Sequence, residues 1–261
     1  MKPTTLVLRR DASVAHVILD RPEVRNAFNQ TSIAELTEVF ASLGEDASVR
    51  AIVLSAHGVA FCAGADLNWM QQMAHYNQTE NLADASRLAS MLKTIYLCPK
   101  PVVAVVQGDC YAGGMGLVAA CDIAIAAEVA NFCLSEVRLG LIPATISPYV
   151  IKAMGENAAR RYFLTAERFD AAEARRIGLV HQVVAADALE QTTATLLKAL
   201  TSASPDAVRE AKRLVRDISG AALTDALIDD TAQRIADVRA SEQGREGVRA
   251  FLEKRKPAWL N

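Results

Sequence analysis

The sequence lacks the long apolar runs by which membrane and secreted proteins are recognised. A membrane-spanning helix needs roughly 20 consecutive apolar residues, whereas the aliphatic stretch Val102–Val106 covers only five positions. The N-terminal residues Met1–Thr5 lead directly into Leu6–Leu8 and then into the charged segment Arg9–Asp11. This start is too short and too soon interrupted for a signal peptide. We therefore expect a soluble cytoplasmic protein.

Metal-binding and nucleotide-binding signatures are also missing. The five cysteines form no CxxC pair and are accompanied by only four scattered histidines, which argues against a zinc cluster. The thiols are expected to be small buried hydrophobic groups in a reducing compartment. A formal net charge of −2 argues against a protein that coats phosphate backbones. The GxGxxG fingerprint and the Walker lysine are absent as well.

What remains is an ordinary globular composition, with 51% hydrophobic and 22% charged residues in a chain of 261. Segments apolar on both faces, such as Ala51–Ser55 and Val102–Val106, alternate with helical spacing, which predicts an α/β architecture. A helix capped by Thr31 or Ser32 is expected to end at Gly44. From Ser147 onward the pattern is almost wholly helical, and no sequence repeat is visible. We expect a core over 1–195 and a helical, oligomer-forming region over 196–261.

Two glycine-containing loops, Phe61–Leu67 and Gly108–Gly116, each follow a predicted buried strand and lead into a helix. A turn into a helix start presents unpaired backbone amides, which favour negative charge. Two such amides converging on one oxygen would make an oxyanion hole. Each loop alone is equally compatible with a purely structural turn.

Together with other motifs, these loops resemble the enoyl-CoA hydratase/isomerase (crotonase) family over nearly the whole chain. The most specific motifs are Leu19–Pro22 with Asn26–Ala27, Phe61–Leu67, Gly113–Gly114 with Cys121–Ile123, Ser135–Glu136 followed by Gly140–Pro143, and Phe251–Pro257. The resemblance implies a crotonase (ClpP-like) spiral fold of ββα units. It further implies a helical C-terminal trimerisation region, and thus a homotrimer or a dimer of trimers.

The resemblance also implies where an acyl-CoA thioester substrate would bind. The thioester oxygen would accept hydrogen bonds from the backbone amides of Ala65 and Gly113. The implied coenzyme A contacts are Arg25, Ala63, Asp66 and Leu67, with Phe251 and Lys254 reaching the adenosine end of a neighbouring subunit's ligand. From the residues alone, Arg25 and the basic C-terminal run are equally compatible with solvated surface. Coenzyme A would enter as part of the substrate, and no metal or redox cofactor is implied.

The acidic residues depart from the pattern of many hydratases in the family, which carry two catalytic glutamates. The second of these matches Glu136, but the position of the first is Gly116, and no acidic residue lies between Tyr111 and Cys121. Ala144 stands where dienoyl-CoA isomerases carry an aspartate. Glu136 is therefore the one motif-matched acid, and burial in its largely apolar segment would raise its pKa, which suits acid–base chemistry.

One carboxylate beside an oxyanion hole leaves several reactions open. Hydration of a 2-enoyl-CoA is the leading expectation, which makes the protein a hydro-lyase. Isomerisation of a 3-enoyl-CoA, with Glu136 as the single base, needs the same groups and no water. Retro-Claisen cleavage or thioester hydrolysis, and non-catalytic acyl-CoA binding suggested by Gly116, remain as further alternatives.

Finer features narrow the expected acyl group. The segments Ala65–Met70 and Leu134–Arg138 resemble bacterial methylglutaconyl-CoA hydratases of leucine breakdown, and similar hydratases act on longer branched esters derived from terpenoids. Such substrates carry a distal carboxylate, which needs a cation or several donors when buried. Arg138 lies two residues after Glu136, so a strand-like segment would place both side chains on one face. A structural ion pair or a subunit contact is the alternative role for Arg138.

Overall fold

The computed structural model describes residues 3–260, so Met1, Lys2 and Asn261 lie outside the described chain. The strands are β1 (Leu6–Asp11), β2 (Val14–Leu19), β3 (Ala51–Ala56), β4 (Ala60–Cys62), β5 (Val102–Val106), β6 (Asp109–Tyr111), β7 (Ile123–Ala127), β8 (Asn131–Cys133), β9 (Phe169–Asp170) and β10 (Gln182–Val184). The α-helices are α1 (Gln30–Glu45), α2 (Leu67–Met73), α3 (Gln78–Leu97), α4 (Gly113–Ala120), α5 (Ser147–Thr165), α6 (Ala171–Arg176), α7 (Leu189–Ser202), α8 (Pro205–Ile218), α9 (Asp225–Ala240) and α10 (Glu242–Leu252).

The strands form two sheets. The larger sheet has the order β1-β2-β3-β5-β7-β10, and the smaller sheet has the order β4-β6-β8-β9. Only the β1–β2 and β8–β9 pairs are antiparallel. The predicted α/β architecture is therefore confirmed, with a mainly parallel arrangement in both sheets.

Three ββα units run along the chain, built from β3-β4-α2, β5-β6-α4 and β7-β8-α5. In each unit the first strand belongs to the large sheet and the second strand to the small sheet. The sequence shows no corresponding repeat, because the three units have the same arrangement of elements but different amino-acid sequences. Their geometry brings the short strands β4, β6 and β8 side by side, so that the segments following these strands gather at one edge.

Burial follows the apolar pattern of the central strands. Val102, Val103 and Val106 of β5 are fully buried, as a strand covered on both faces requires. All five cysteines are free thiols, and four are buried while Cys121 is partly accessible. Burial raises the pKa of the Cys62 thiol to about 12, so this cysteine is an inert packing group.

The first helix differs from its prediction at both ends. Asn29 rather than Thr31 or Ser32 caps α1, because the Asn29 side chain accepts a hydrogen bond from the Ser32 amide. The helix continues through Gly44 to Glu45. Gly44 packs closely against Pro99, since a Cβ built on Gly44 lies 3.1 Å from Pro99 Cδ. This glycine serves helix packing rather than helix termination.

Helix α7 packs on the large sheet through an apolar cluster that includes Leu189, Val103 and Ile125, whereas polar contacts join α8 to that sheet. Lys212 of α8 donates a 2.6 Å hydrogen bond to Asp122 Oδ2, which also accepts the Val102 amide of β5 at 2.7 Å. Trp259 donates to the Ser202 carbonyl at the end of α7. Among residues 3–260, no helix combines the length and the apolar character that crossing a bilayer demands.

Candidate active site

Glu136 follows β8 as the first residue of a short 310 helix, Glu136–Leu139. Its Oε2 atom is buried and has no hydrogen-bond partner among the described residues. Burial raises the pKa of this carboxyl above its usual range, while a backbone hydrogen bond opposes the rise. An unpartnered buried carboxyl oxygen destabilises a fold, and carboxyl groups with raised pKa values are concentrated at functional sites.

The first loop places the Ala65 amide at the surface of the site. Ala65 forms an isolated parallel bridge with Phe28, in which the Phe28 amide donates to Gly64 O at 2.9 Å and Phe28 O accepts the Asp66 amide at 3.0 Å. In such a bridge the bonds on that side are made by residues 64 and 66, so the Ala65 N–H points away from Phe28. No described residue accepts a hydrogen bond from it.

The second loop presents the Gly113 amide. Gly113 is the first residue of α4, where backbone N–H groups have no partner within the helix. Its amide has no acceptor among the described residues. The preceding residue, Ala112, has φ 48° and ψ −121°, a conformation that an L-residue rarely adopts. Since ψ of Ala112 sets the direction of the next peptide group, this strain aims the Gly113 N–H, as functional strain does elsewhere.

Hydrogen bonds hold this strained turn against the strand that leads to Glu136. The Ala112 amide donates to Cys133 O at 2.8 Å, and Ala112 O accepts the Met115 amide at 2.9 Å. The loop of Gly113 is thus bonded to the end of β8, three residues before Glu136.

The two loops also touch each other. A Cβ built on Gly64 lies 3.1 Å from Ala112 Cβ and 3.8 Å from the Gly113 nitrogen. One unpaired amide thus lies on each of two touching loops, and a titratable carboxyl follows the strand that is bonded to one of them. Chemically, this combination can stabilise an enolate-like oxyanion while a proton moves to or from the neighbouring carbon.

The position of the absent first carboxylate is filled by packing. A Cβ built on Gly116 lies 2.3 Å from Ile146 Cγ2 and 2.8 Å from Ile146 Cβ. Ile146 is 2% exposed and precedes α5, so it has little room to withdraw. The chain therefore has an apolar wall where many relatives would carry an acid, and a glutamate cannot simply be restored there.

Arg138 does not have the strand geometry that was expected of it. Residues 136–139 form a 310 helix, in which side chains two positions apart are rotated by about 240° and do not share a face. Arg138 Nη2 donates to Ala166 O at 2.6 Å, while the other N–H groups of the guanidinium have no partner among the described residues. Burial raises the pKa of Cys133, while the Arg138 charge lowers it and the Glu136 charge raises it. Both charges therefore act on the Cys133 thiol, and so lie in one neighbourhood.

The expected coenzyme A residues of the N-terminal half are brought together in part. The Ala63 amide donates to Arg25 O at 3.0 Å, so the Arg25 turn lies against the first loop. Arg25 is exposed, and its guanidinium has no partner in the described chain. Leu67 is 75% exposed at the start of α2.

The Asp66 side chain stabilises the local structure. One carboxylate oxygen accepts the Asn68 and Trp69 amides as the cap of α2, and the other accepts Arg21 Nη2 at 2.8 Å. The side chain is 4% exposed. The backbone is engaged too, since the Asp66 amide donates to Phe28 O and the Asp66 carbonyl accepts the Met70 amide, so the predicted ligand contact at Asp66 stays a prediction.

Phe251 and Lys254 lie at the end of α10. Phe251 is 81% exposed, and the Lys254 ammonium makes no hydrogen bond or ion pair within residues 3–260. Neither side chain is positioned by the fold of its own chain. Their predicted role toward a neighbouring subunit's ligand stays a prediction.

Sequence reasoning missed three residues that shape this site, namely Phe28, Ala112 and Ile146. Phe28 and Ile146 resemble any other buried apolar residues in the sequence, and only the contacts with Gly113 and Gly116 distinguish them. Ala112 offered a weak signal, since it interrupts a glycine-rich turn at the one position that needs a positive φ.

The chain is similar to known proteins of one family. The family profile described as enoyl-CoA hydratase/isomerase matches residues 9–261. A crystal structure of an enoyl-CoA hydratase from Shewanella pealeana is 43% identical, superposes with a TM-score of 0.96, and covers 99% of this chain and 97% of its own. The short-chain-enoyl-CoA hydratase of Clostridium acetobutylicum is 30% identical over 98% of this chain and 97% of its own length. The mevalonyl-coenzyme A hydratase of Aspergillus fumigatus is 34% identical over 92% of this chain and 89% of its own length.

Proposed function

The chain belongs to the enoyl-CoA hydratase/isomerase family and has its crotonase fold, and we propose that it is a hydro-lyase that adds water across the 2,3 double bond of an enoyl-CoA thioester. The observation that carries this proposal is the unpartnered, buried Oε2 of Glu136, which follows the strand bonded to the turn of Gly113. The names of the hydratases from Shewanella pealeana and Clostridium acetobutylicum support the same reaction.

A single carboxylate can complete the reaction. The Glu136 carboxylate takes a proton from water as the water oxygen forms a bond to the β-carbon. The electron pair of the double bond moves toward the thioester, whose oxygen becomes anionic and accepts hydrogen bonds from the Ala65 and Gly113 amides. Protonated Glu136 then gives its proton to the α-carbon, so the carboxylate is regenerated. No metal or redox cofactor enters this scheme, and coenzyme A arrives as part of the substrate.

The proposed acyl group is 3-methylglutaconyl or a close branched analogue. Arg138 supports this choice, because its exposed guanidinium acts on the same thiol as Glu136 and has donors to spare for a distal carboxylate. The Aspergillus fumigatus relative points in the same direction, because a mevalonyl group also carries a β-methyl branch and an oxygen function at its far end.

The proposed enzyme is a homotrimer or a dimer of trimers assembled through its C-terminal helices. Large apolar side chains are exposed along α8, α9 and α10 and the segment between α8 and α9, namely Leu214, Val215, Leu223, Ile228, Ile235, Val248, Phe251 and Leu252. Large exposed apolar side chains concentrated in one region support an interaction surface there.

Absorbance of the conjugated thioester tests the reaction. The protein is mixed with a 2-enoyl-CoA, and loss of the chromophore shows hydration. Glu136→Gln should lower turnover by about 100-fold or more, since it removes the only proton carrier. Glu128→Gln, which changes an exposed glutamate in the turn after β7, is the matched control. Unchanged turnover in Glu136→Gln would refute the assigned chemistry.

A second candidate function is 3-enoyl-CoA to 2-enoyl-CoA isomerisation. The Ile146 side chain in the place of a carboxylate favours it, because an apolar wall suits a proton shuttle that needs no water. With a 3-enoyl-CoA, appearance of the conjugated chromophore would identify this activity. If the 3-enoyl ester is converted and the 2-enoyl ester is not consumed, the isomerase replaces the hydratase.

The acyl specificity has its own test. Arg138→Leu should lower kcat/KM for 3-methylglutaconyl-CoA by about tenfold or more while sparing crotonyl-CoA, which lacks the distal carboxylate. Arg175→Leu, an exposed arginine of α6, is the matched control. An equal loss with both esters would remove Arg138 from the proposal.

A further inference from the structure

Phe28 contacts both loops of the candidate oxyanion hole. Its backbone amide and carbonyl bond to Gly64 O and to the Asp66 amide, on either side of Ala65. Its ring lies against the other loop, because a Cβ built on Gly113 would lie 2.3 Å from Phe28 Cζ, 3.1 Å from Cε1 and 3.4 Å from Cε2. The side chain is 3% exposed.

The ring explains why residue 113 is a glycine. Gly113 is the first residue of α4 and does not have a positive φ. Alanine would therefore be acceptable to the backbone at this position. The tip of the Phe28 ring leaves no room for a side chain at position 113. Contact with this ring therefore sets the separation between Gly113 and the first loop.

The Phe28 ring also packs against a second buried aromatic ring. Trp69 of α2 lies with its ring centroid 6.2 Å from that of Phe28, at an interplanar angle of 51°. Trp69 is itself 5% exposed, and its helix is capped by Asp66, the residue after Ala65. The Phe28 ring is thus enclosed between the second loop and a helix anchored to the first loop.

From these contacts we infer that Phe28 is a positioning residue, which fixes the distance and direction between the Ala65 and Gly113 amides so that both donate to one thioester oxygen. This inference rests on the proposed thioester chemistry. It assigns the task to side-chain contact and not to the glycine-rich turn alone. Pre-organised donors stabilise developing charge only when their geometry is held in advance, and a misplacement of about 1 Å can cost about 100-fold in rate.

The first test compares Phe28→Leu with Phe40→Leu. Leucine at position 28 keeps the apolar character and the backbone bridge but lacks Cε1, Cε2 and Cζ, the three atoms that face Gly113. Phe40, 1% exposed on α1, supplies the same substitution in the same core away from the loops. We expect kcat to fall by about 10- to 100-fold in Phe28→Leu, with KM changed far less. Phe40→Leu should keep kcat within about twofold.

A spectroscopic readout separates carbonyl polarisation from general loss of stability. A 2,4-dienoyl-CoA thioester absorbs at longer wavelength when its carbonyl is polarised. Bound to a Glu136→Gln background, which cannot turn it over, the ester should show a red shift that Phe28→Leu diminishes and Phe40→Leu retains. An undiminished red shift and an unchanged kcat in Phe28→Leu would overturn the inference.

A double-variant cycle keeps the inference testable if Phe28→Leu is unstable. Gly113→Ala alone should lower kcat strongly, because its methyl group meets the ring and displaces the amide. In the Phe28→Leu background the same methyl group has room, so the further loss should be at least about tenfold smaller. Additive losses would refute the ring contact as the determinant. If the unaltered protein turns over no enoyl-CoA ester, the proposed function itself is wrong, and that outcome is distinct from either result above.

Discussion

At the scale of single residues, Glu136 combines a costly burial with a useful acidity. Desolvation raises the pKa of its carboxyl, so the folded chain holds this proton more tightly than the unfolded chain does. Between the unfolded and the folded pKa the native state binds more protons, and its free energy of unfolding therefore falls as pH rises through this window. The ionised form needed to accept a proton from water is thus obtained at the expense of stability.

Glu136→Gln should remove this penalty. Its melting temperature should match that of the unaltered protein at acidic pH, exceed it increasingly as pH rises through the raised pKa, and level off above it. Thermal unfolding followed from about pH 4 to about pH 8 measures the difference, with Glu128→Gln as the control. A difference that grows toward acidic pH would have the wrong sign and would contradict a raised pKa.

Catalytic activity should increase with pH as Glu136 ionises, whereas the free energy of unfolding falls. Since the proposed base acts when ionised, kcat/KM should increase with pH across a pKa above the usual range of a glutamate. Initial rates with a 2-enoyl-CoA at saturating and limiting concentrations give the profile. An acid limb at the ordinary glutamate value would show that burial does not tune this carboxyl in solution.

How well the site residues could be predicted depends on whether the signal for each lies in the local sequence or in contacts between distant segments. Ala65 and Gly113 were assigned from the family resemblance, because the loop pattern alone left a purely structural turn open, and their proposed role through backbone amides stays a prediction. Arg138 was assigned by spacing, and the assigned geometry was wrong because the segment turns into a 310 helix after β8. Phe28 could not be found, because its contacts with two loops join positions 37 and 85 residues apart in the chain.

At the scale of elements, local sequence patterns predicted some strands and helices and missed others. The bounds of β5 were predicted correctly, because an apolar run on both faces is a local signal. The small sheet was largely invisible, since its strands have only two or three residues each and depend on one another for pairing. The glycines of α4 were interpreted as a turn, whereas Gly114 and Gly116 belong to a helix that packs against Cys62 and Ile146.

Gly116→Ala tests this packing at the element scale. Helix propensity alone favours alanine by about 1 kcal/mol, but overpacking of a buried site typically costs about 1–3 kcal/mol. The built methyl group lies 2.3 Å from Ile146 Cγ2, and Ile146 is branched and buried, so the steric term should prevail. We expect a net loss of about 1–2 kcal/mol in the free energy of unfolding, measured by urea denaturation.

The partner substitution supplies the control for Gly116→Ala. Ile146→Ala removes Cγ2, the nearest atom, so the loss caused by Gly116→Ala should shrink in that background. Gly116→Glu should be more destabilising still and should not accelerate hydration. A stable and faster Gly116→Glu variant would show that the wall formed by Ile146 yields easily, contrary to its burial.

At the scale of the whole molecule, the C-terminal helices are attached to the core on one side and leave apolar side chains exposed on the other. Lys212 and Asp122 fasten α8 to the sheet edge near β5, yet the outer faces of α9 and α10 remain apolar and uncovered. The sequence indicated a helical region beyond residue 196 from its composition. It could not indicate which faces meet another subunit, because the same apolar spacing serves burial within a chain and between chains.

Phe251→Ser therefore tests assembly and ligand binding together. Aromatic side chains dominate the energetics of protein interfaces, so removing one that is 81% exposed in the isolated chain should weaken association by about tenfold or more. If Phe251 also reaches a neighbour's ligand, KM for acyl-CoA esters should rise while kcat at saturation falls much less. Val59→Ser changes an aliphatic side chain that is 80% exposed and lies outside the C-terminal helices, and it should alter neither quantity. Light scattering over a dilution series and initial-rate kinetics measure the two effects, and a monomeric unaltered protein at all concentrations would show that these faces serve another partner.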